Sequence, residues 1–327
     1  MAIKGINALT LADHAKRMDP DGKIPAIVEL LEQTNPILTD MVFVEGNLPT
    51  GHRTTVRTGL PAATWRLLNY GVQPSKSTTA QVTDSTGMLE AYAEVDKALA
   101  DLNGNSSEFR LSEDRAFIES MNQNQAETVF YGDTRINPQR FTGLSARYND
   151  KSAKNAQNIV DAGGTGSNLT SIWLVVWGTN TVHGIFPKGQ KAGLDHKDLG
   201  EQTLVDDNGG KYQGYRTHYK WDNGLSVRDW RYVVRIANID TTKLGADDGP
   251  NLAKLMVQAL HRIPNLQMGK AVFYMNRDAA EYLDIQATDK ASLAISVKET
   301  EGVFWTSFRG VPVRTCDALL STESQVV

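Results

Sequence analysis

The sequence predicts an α+β fold, and three stretches carry that prediction. Residues 111–133 hold one unbroken helical pattern, long for a chain of 327 residues. Residues 171–177, Ser-Ile-Trp-Leu-Val-Val-Trp, form the continuous apolar run expected of a strand buried on both faces. Asp207-Asn-Gly-Gly210 and Asp222-Asn-Gly224 each contain Asn-Gly, the preferred dipeptide of a tight β-hairpin, and the residues between them alternate strictly.

The helix comes first. Ser112 suits an N-cap, and Glu113 and Asp114 put negative charge in the first turn, where unpaired N–H groups favour it. Gly132 offers a C-terminal stop, and Pro138 prevents the helix from resuming. Ile118, Met121, Gln125 and Val129 recur at helical spacing beside Phe117 and Phe130, which predicts one narrow apolar stripe. Asn122, Gln123, Asn124 and Glu127 make the opposite side polar with little charge. Roughly 20 residues would span about 30 Å, a rod suited to lying along a sheet.

Residues 1–41 read as an arm. A short helix over 9–18 ends at Asp19-Pro-Asp-Gly, and another over 24–33 stops before Asn35-Pro36. From 42 to 96 the pattern turns to strands. His52-Arg-Thr-Thr-Val-Arg-Thr58 is rich in β-branched residues, and 64–70 continues extended to a turn at 71–75. Residues 78–83 return, and Leu89, Ala91, Ala93 and Val95 then alternate. A two-stranded ribbon with so few bulky apolar residues is marginal in water, so it needs a partner surface.

After the helix, 148–168 reads as a solvated loop, and 181–186 as a strand paired behind the apolar run. Tyr215, Thr217, Tyr219 and Trp221 share one face of a strand, and Arg216, His218 and Lys220 the other. Over 225–239, Trp230, Tyr232, Val234 and Ile236 alternate against Arg228, Asp229, Arg231 and Arg235, predicting an aromatic buried face and a basic wet one. A helix over 251–262 carries Leu252, Leu255, Met256, Ala259 and Leu260 on one side. Residues 271–275 form a short buried strand, Asn276 caps a helix over 277–283, and 301–319 gives two antiparallel strands about Arg309-Gly310.

The long amide-rich helix ending in Tyr131-Gly-Asp133, the following Pro138-x-x-Phe141-x-Gly143-Leu144 and the C-terminal Phe308-Arg-Gly-Val-Pro-Val313 occur in a telling order. Together they resemble the spine helix, its exit and the closing strand of tailed-phage major capsid proteins, which share the Hong Kong 97-type fold. The resemblance is nearest to short-tailed phages, with a Bordetella phage among the candidate sources. It implies an N-terminal arm (1–41), an extended E-loop hairpin (42–96), a peripheral domain (97–150 and 300–327) holding the spine helix, and a mixed α/β axial domain (151–299). It further implies self-assembly into hexamers and pentamers of an icosahedral shell, formed in the host bacterial cytoplasm and enclosing double-stranded DNA without sequence specificity.

The E-loop of such proteins reaches over the adjacent subunit, where Arg53, Arg57, Trp65 and Arg66 are the expected contacts. Each could equally be an ordinary sheet-edge residue within one subunit. Lys4, Lys16, Arg17 and Lys23 would make the arm a basic inner lining. Portal, scaffolding and cement or decoration proteins are the other partners implied; a membrane is not.

Composition agrees with an ordinary globular chain, 40% hydrophobic and 22% charged. The net charge of -4 makes no strong electrostatic claim on nucleic acid. The single Cys316 excludes an intrachain disulfide and reads as a small core residue. The N-terminal residues lack the apolar run of a secretory signal, and no stretch approaches the ~18 apolar residues that span a membrane.

Chemistry-bearing motifs are not expected. Gly163-Gly-Thr-Gly166 lacks the Lys-Ser/Thr ending of a phosphate loop and follows no buried strand. The six histidines show no zinc spacing, and Asp206-Asp-Asn-Gly-Gly lacks the later ligands of a calcium loop. The sequence therefore predicts no catalytic residues, no cofactor, no metal site and no covalent crosslink. The rival readings are a soluble β-rich hydrolase with scattered carboxylates, or another virion component such as a tail or decoration protein.

Overall fold

The computed structural model describes residues 33–102, 106–206, 208–246, 249–289, 295–300 and 303–327. The short helix expected over 9–18 lies outside the described residues, as does nearly all of that expected over 24–33.

In chain order the strands are β1 (Phe43–Glu45), β2 (Gly51–Gly59), β3 (Thr78–Asp96), β4 (Ile159–Asp161), β5 (Leu169–Trp177), β6 (Val182–Phe186) and β7 (Asp195–Val205). They continue as β8 (Lys211–Val227), β9 (Val233–Asp240), β10 (Lys270–Met275), β11 (Ile295–Thr300), β12 (Val303–Phe308) and β13 (Val311–Thr315). The α-helices are α1 (Ile37–Asp40), α2 (Lys97–Ala100), α3 (Ser106–Tyr131), α4 (Leu252–Arg262) and α5 (Arg277–Asp289). The chain divides into two compact units, the smaller including Met88–Ala126 and Gly193–Asp222.

The larger unit is built on β5, whose nine residues are all buried. β10 and β9 both pair with it antiparallel, setting Phe273 and Val234 opposite Leu174. Pairing covers only its edges; the burial of all nine side chains shows that both faces are covered as well, which is why its sequence does not alternate. β13 adds parallel to β10, and β12 and β11 follow antiparallel. Beyond β6 the sheet continues through β8 and β3 to β2. Phe130 and Tyr148 pack against Trp173, and Trp177 Nε1 donates to the Tyr274 hydroxyl at 2.8 Å.

Helix α3 starts at Ser106, so Ser112 lies inside it and is not its N-cap. Burial stabilises the added residues: Phe109, 2% exposed, packs with Val95, Leu99 and Ala100. Met121, Gln125 and Val129 face inward as the spacing predicts, but Ile118 is 42% exposed and Phe117 turns inward in its place. At the other end the exit segment folds back on the last turn. Leu144 N–H donates to the Val129 carbonyl at 2.9 Å, and Gly143 N–H to that of Gly132 at 2.8 Å. Carbonyls left open by the end of the helix are thereby paired. A Cβ at Gly143 would lie 2.5 Å from the Thr128 carbonyl oxygen, so only glycine allows this approach.

The smaller unit holds the β7–β8 hairpin and the second half of β3. Its turn matches the first Asn-Gly: Asp206 Oδ1 accepts from the N–H groups of Asn208 and Gly210. Leu89, Ala91, Ala93 and Val95 of β3 are the inward residues, and Tyr219 packs with Ala93 and Met121. On the other face Arg216 pairs with Glu94, His218 lies 3.4 Å from Glu90, and the Tyr92 ring stacks on His218 at 4.5 Å.

The second Asn-Gly does not turn, because β8 runs through Asp222, Asn223 and Gly224 to Val227. The glycine serves close packing instead: a Cβ there would sit 2.6 Å from the Ser85 carbonyl oxygen. The alternation expected over 225–239 also fails. Trp230–Tyr232 is a 3-10 turn capped by Asp229, and β9 begins only at Val233. Arg235, assigned by pattern to a wet basic face, is 3% exposed. Helix α5 has the expected cap, Asn276 Oδ1 accepting from Ala279 N–H at 2.9 Å, but extends to Asp289.

Candidate assembly surface

The ribbon of β2 and β3 is the surface most plainly left without a partner. At its root Asn47 brackets Arg53: its Oδ1 accepts from the Arg53 N–H at 2.7 Å, and its Nδ2 donates to the Arg53 carbonyl at 2.8 Å. In the β2–β3 pair His52 faces Asp84, Arg53 faces Thr83 and Arg57 faces Thr79. Asp84, 5% exposed, pairs with Arg147 at 2.8 Å, so the root is also tied to the segment after α3.

The register slips between Arg57 and Gly59, and beyond the Thr58–Thr78 hydroxyl contact at 3.1 Å the limbs separate. Residues 64–70, expected to continue as a strand, are not one. The turn falls at Leu67–Tyr70, where Tyr70 N–H donates to the Leu67 carbonyl and Asn69 takes φ +70°. Asparagine tolerates this left-handed conformation better than most residues. Ser75 Oγ bridges back to the Ala62 carbonyl at 2.8 Å.

All residues from 60 to 77 are exposed. They include Leu60, Leu67, Leu68 and Tyr70, while Trp65 is 104% exposed, as open as in a free peptide. Exposed apolar surface grouped in this way is characteristic of interaction sites in general. The charge is one-sided as well. Between Asn47 and Thr83 there is no Asp or Glu, against Arg53, Arg57, Arg66 and Lys76.

Arg53 and Arg57 therefore lie on the same exposed face of β2, and Trp65 and Arg66 on the loop beyond it. Among the described residues the Arg53 side chain reaches Thr83 Oγ1, at 3.4 Å. Lys4, Lys16, Arg17 and Lys23 lie outside the described residues. The anchors that hold the larger unit together had no signal in the sequence, since their members are far apart in the chain. Asp40 receives Lys270 at 2.5 Å and the Tyr274 hydroxyl at 2.9 Å, and Glu323 receives Arg235 at 2.8 Å.

Other candidates resolve as structural. Cys316 is buried, its thiol donates to Asn35 Oδ1 at 3.2 Å, and burial pushes its pKa up to about 12. In the Gly163 loop the Gly163 N–H is taken by Asp161, whose carboxylate would repel an anion. Among the described residues no group of His, Cys, Asp and Glu could hold a metal ion, and no helix is long and apolar enough to cross a membrane.

Comparison with known proteins agrees with this architecture. A chain in the structure of bacteriophage Epsilon15 is 36% identical and superposes with a TM-score of 0.81, covering 100% of this chain and 99% of that one. The bacteriophage JBD30 capsid matches at 8% identity and a TM-score of 0.48, over 92% of this chain and 99% of its own. The capsid of the native GTA particle matches at 12% and 0.47, over 71% and 99%. No curated protein matches the sequence. The fold is Hong Kong 97-like, and the protein is a structural subunit of a phage capsid shell, located in the virion. The family model for major capsid protein GP7 matches residues 19–327, and the chain belongs to that family. Similarity to Epsilon15 does not point to a Bordetella source.

Proposed function

We propose that the β2–β3 ribbon is the E-loop through which each subunit grips its neighbour, and that copies joined in this way form hexamers and pentamers of an icosahedral shell around packaged double-stranded DNA. The observation that carries this reading is Trp65, fully exposed at the end of an acid-free limb with four leucine and tyrosine side chains bare around it. Trp and Arg are the side chains that most often dominate binding energy when they enter a neighbour's pocket. Arg53, Arg57, Trp65 and Arg66 are the contacts assigned here. A head-to-tail contact of this kind closes into rings, and many weak copies of it hold a lattice.

In this reading residues 1–41 are the arm, 97–150 and 300–327 the peripheral domain, and 151–299 the axial domain. Lys4, Lys16, Arg17 and Lys23 line the interior, and portal, scaffolding and cement proteins complete the particle. The work is assembly, without turnover. Electron microscopy of the purified chain, alone and with its phage partners, tests it. Closed shells or sheets of hexamers are expected; a monomer at every concentration overturns it.

A further inference from the structure

At the root of the ribbon a half-buried imidazole meets a fully buried one. His52, at the start of β2, meets His183 of β6 edge-on, with ring centroids 5.8 Å apart and planes at 81°. His183 is 1% exposed. Neither of its ring nitrogens makes a hydrogen bond of normal geometry among the described residues, and the same holds for His52 Nδ1. The hydroxyls beside them, Thr54 on the same face of β2 and Ser226 opposite His183 on β8, are also buried without a partner. Such a site favours a neutral His183 ring.

The charged groups around the pair do not rescue a proton. Arg228 adds a like charge near both rings. Asp84, opposite His52, favours the cation, but its carboxylate is already held by Arg147 at 2.8 Å. The Gly178 carbonyl is the remaining group that favours a charged His183. Burial lowers the affinity of both rings for a proton, and His183 falls to about 4.

We propose that the His52–His183 pair is a proton-operated release at the base of the ribbon: protonation of the buried His183 ring places an uncompensated cation against His52 and near Arg228, and the strain is relieved by parting β2 from β6. The only chemical change is one proton added to an imidazole nitrogen, supplied by solvent. The proposal rests on the ribbon being the assembly limb, since it regulates that limb, but the parting itself is a property of the single chain. The stimulus is acidification from the neutral range, in the window between an ordinary imidazole and these depressed ones.

Hydrogen–deuterium exchange of the full chain tests the release before any assembly. The amides of β2 are held by β3 and those of β6 by β8 and β1, so a release that parts β2 from β6 is read as loosening of these pairs. Between pH 6.5 and 4.5, after correction for intrinsic rates, peptides covering 51–59 and 182–186 should lose protection about tenfold or more, while those covering β5 stay protected. His183→Gln, which cannot be charged, should abolish the change. Equal loss in the variant, or none in the wild type, overturns the proposal. Should the variant not fold, the NMR titration of the wild-type imidazoles decides: His183 titrating near 6.5 overturns it, and a midpoint well below supports it. Failure of the docking reading would look different, with release intact in the monomer and no shells at neutral pH.

Discussion

Arg235 on β9 and Glu323 in the C-terminal segment form an ion pair of 2.8 Å in which each side chain is only 3% exposed. The pair is fully dressed. Arg235 Nε donates to Ser171 Oγ at 2.9 Å and Nη1 to the Tyr148 carbonyl at 2.8 Å, while Ser171 and the Tyr131 hydroxyl both donate to Glu323. Burial raises the Tyr131 hydroxyl well above its ordinary range, so it remains a donor. The end of α3, the central strands β5 and β9 and the C-terminus thus share one buried network, beside a cavity of about 440 Å³.

Removing one partner should therefore be costly. Glu323→Ala leaves the Arg235 charge buried alone, and breaking such a pair typically costs about 3–5 kcal/mol. Replacing both, as Arg235→Met with Glu323→Leu, should cost much less than the sum of the single changes. Urea unfolding of the three variants measures this; additive losses would contradict the network.

Trp65→Ala should separate assembly from folding. A side chain that is 104% exposed contributes nothing to the isolated fold, so monomer stability should move by less than about 0.5 kcal/mol. Each contact between subunits should weaken by about 2 kcal/mol or more. Sedimentation velocity at matched concentrations should show capsomers or shells for the wild type and small species for the variant.

Stability should fall on acidification. His183 has a folded-state pKa of about 4 against an ordinary 6.5, so the folded protein binds fewer protons there than the unfolded chain. The advantage is complete above pH 6.5 and is lost as pH drops towards 4, up to about 3 kcal/mol in all. Thermal melts across that range should show the slope in the wild type and a reduced one in His183→Gln.

Gly143→Ala should weaken the junction behind α3. The new methyl group would meet the Thr128 and Val129 carbonyl oxygens at 2.5 and 2.7 Å. Overpacking of this order costs about 1–3 kcal/mol. The loss should appear as a lower melting temperature without a change in helical signal.

Cys316 should resist alkylation while the chain is folded. Its thiol is buried and held near 12, so almost no thiolate forms at about pH 8. Iodoacetamide should label it only in denaturant, by mass spectrometry; rapid labelling of the native protein would contradict its place in the core.

Local chemistry was legible wherever it decided the outcome. The Asn-Gly at 208–209 makes its hairpin, Asn276 caps α5, and the run 171–177 is the fully buried strand. The same chemistry misled where a neighbour outweighed it. Ser112 could cap a helix, but Phe109 found a pocket and α3 began earlier; Asn223-Gly224 could turn, but packing against Ser85 kept β8 straight.

By itself the sequence determined the helical period of α3 and α4, the alternation of β3, the polarity of the ribbon and the order of motifs that marks a capsid subunit. Only the tertiary structure decided that Arg235 is buried, that Ile118 is exposed and that His52 meets His183. The reason is range. Periodicity and capping act over a few residues and are written in their neighbours, whereas a buried charge or a ring pair exists only once distant segments close around it.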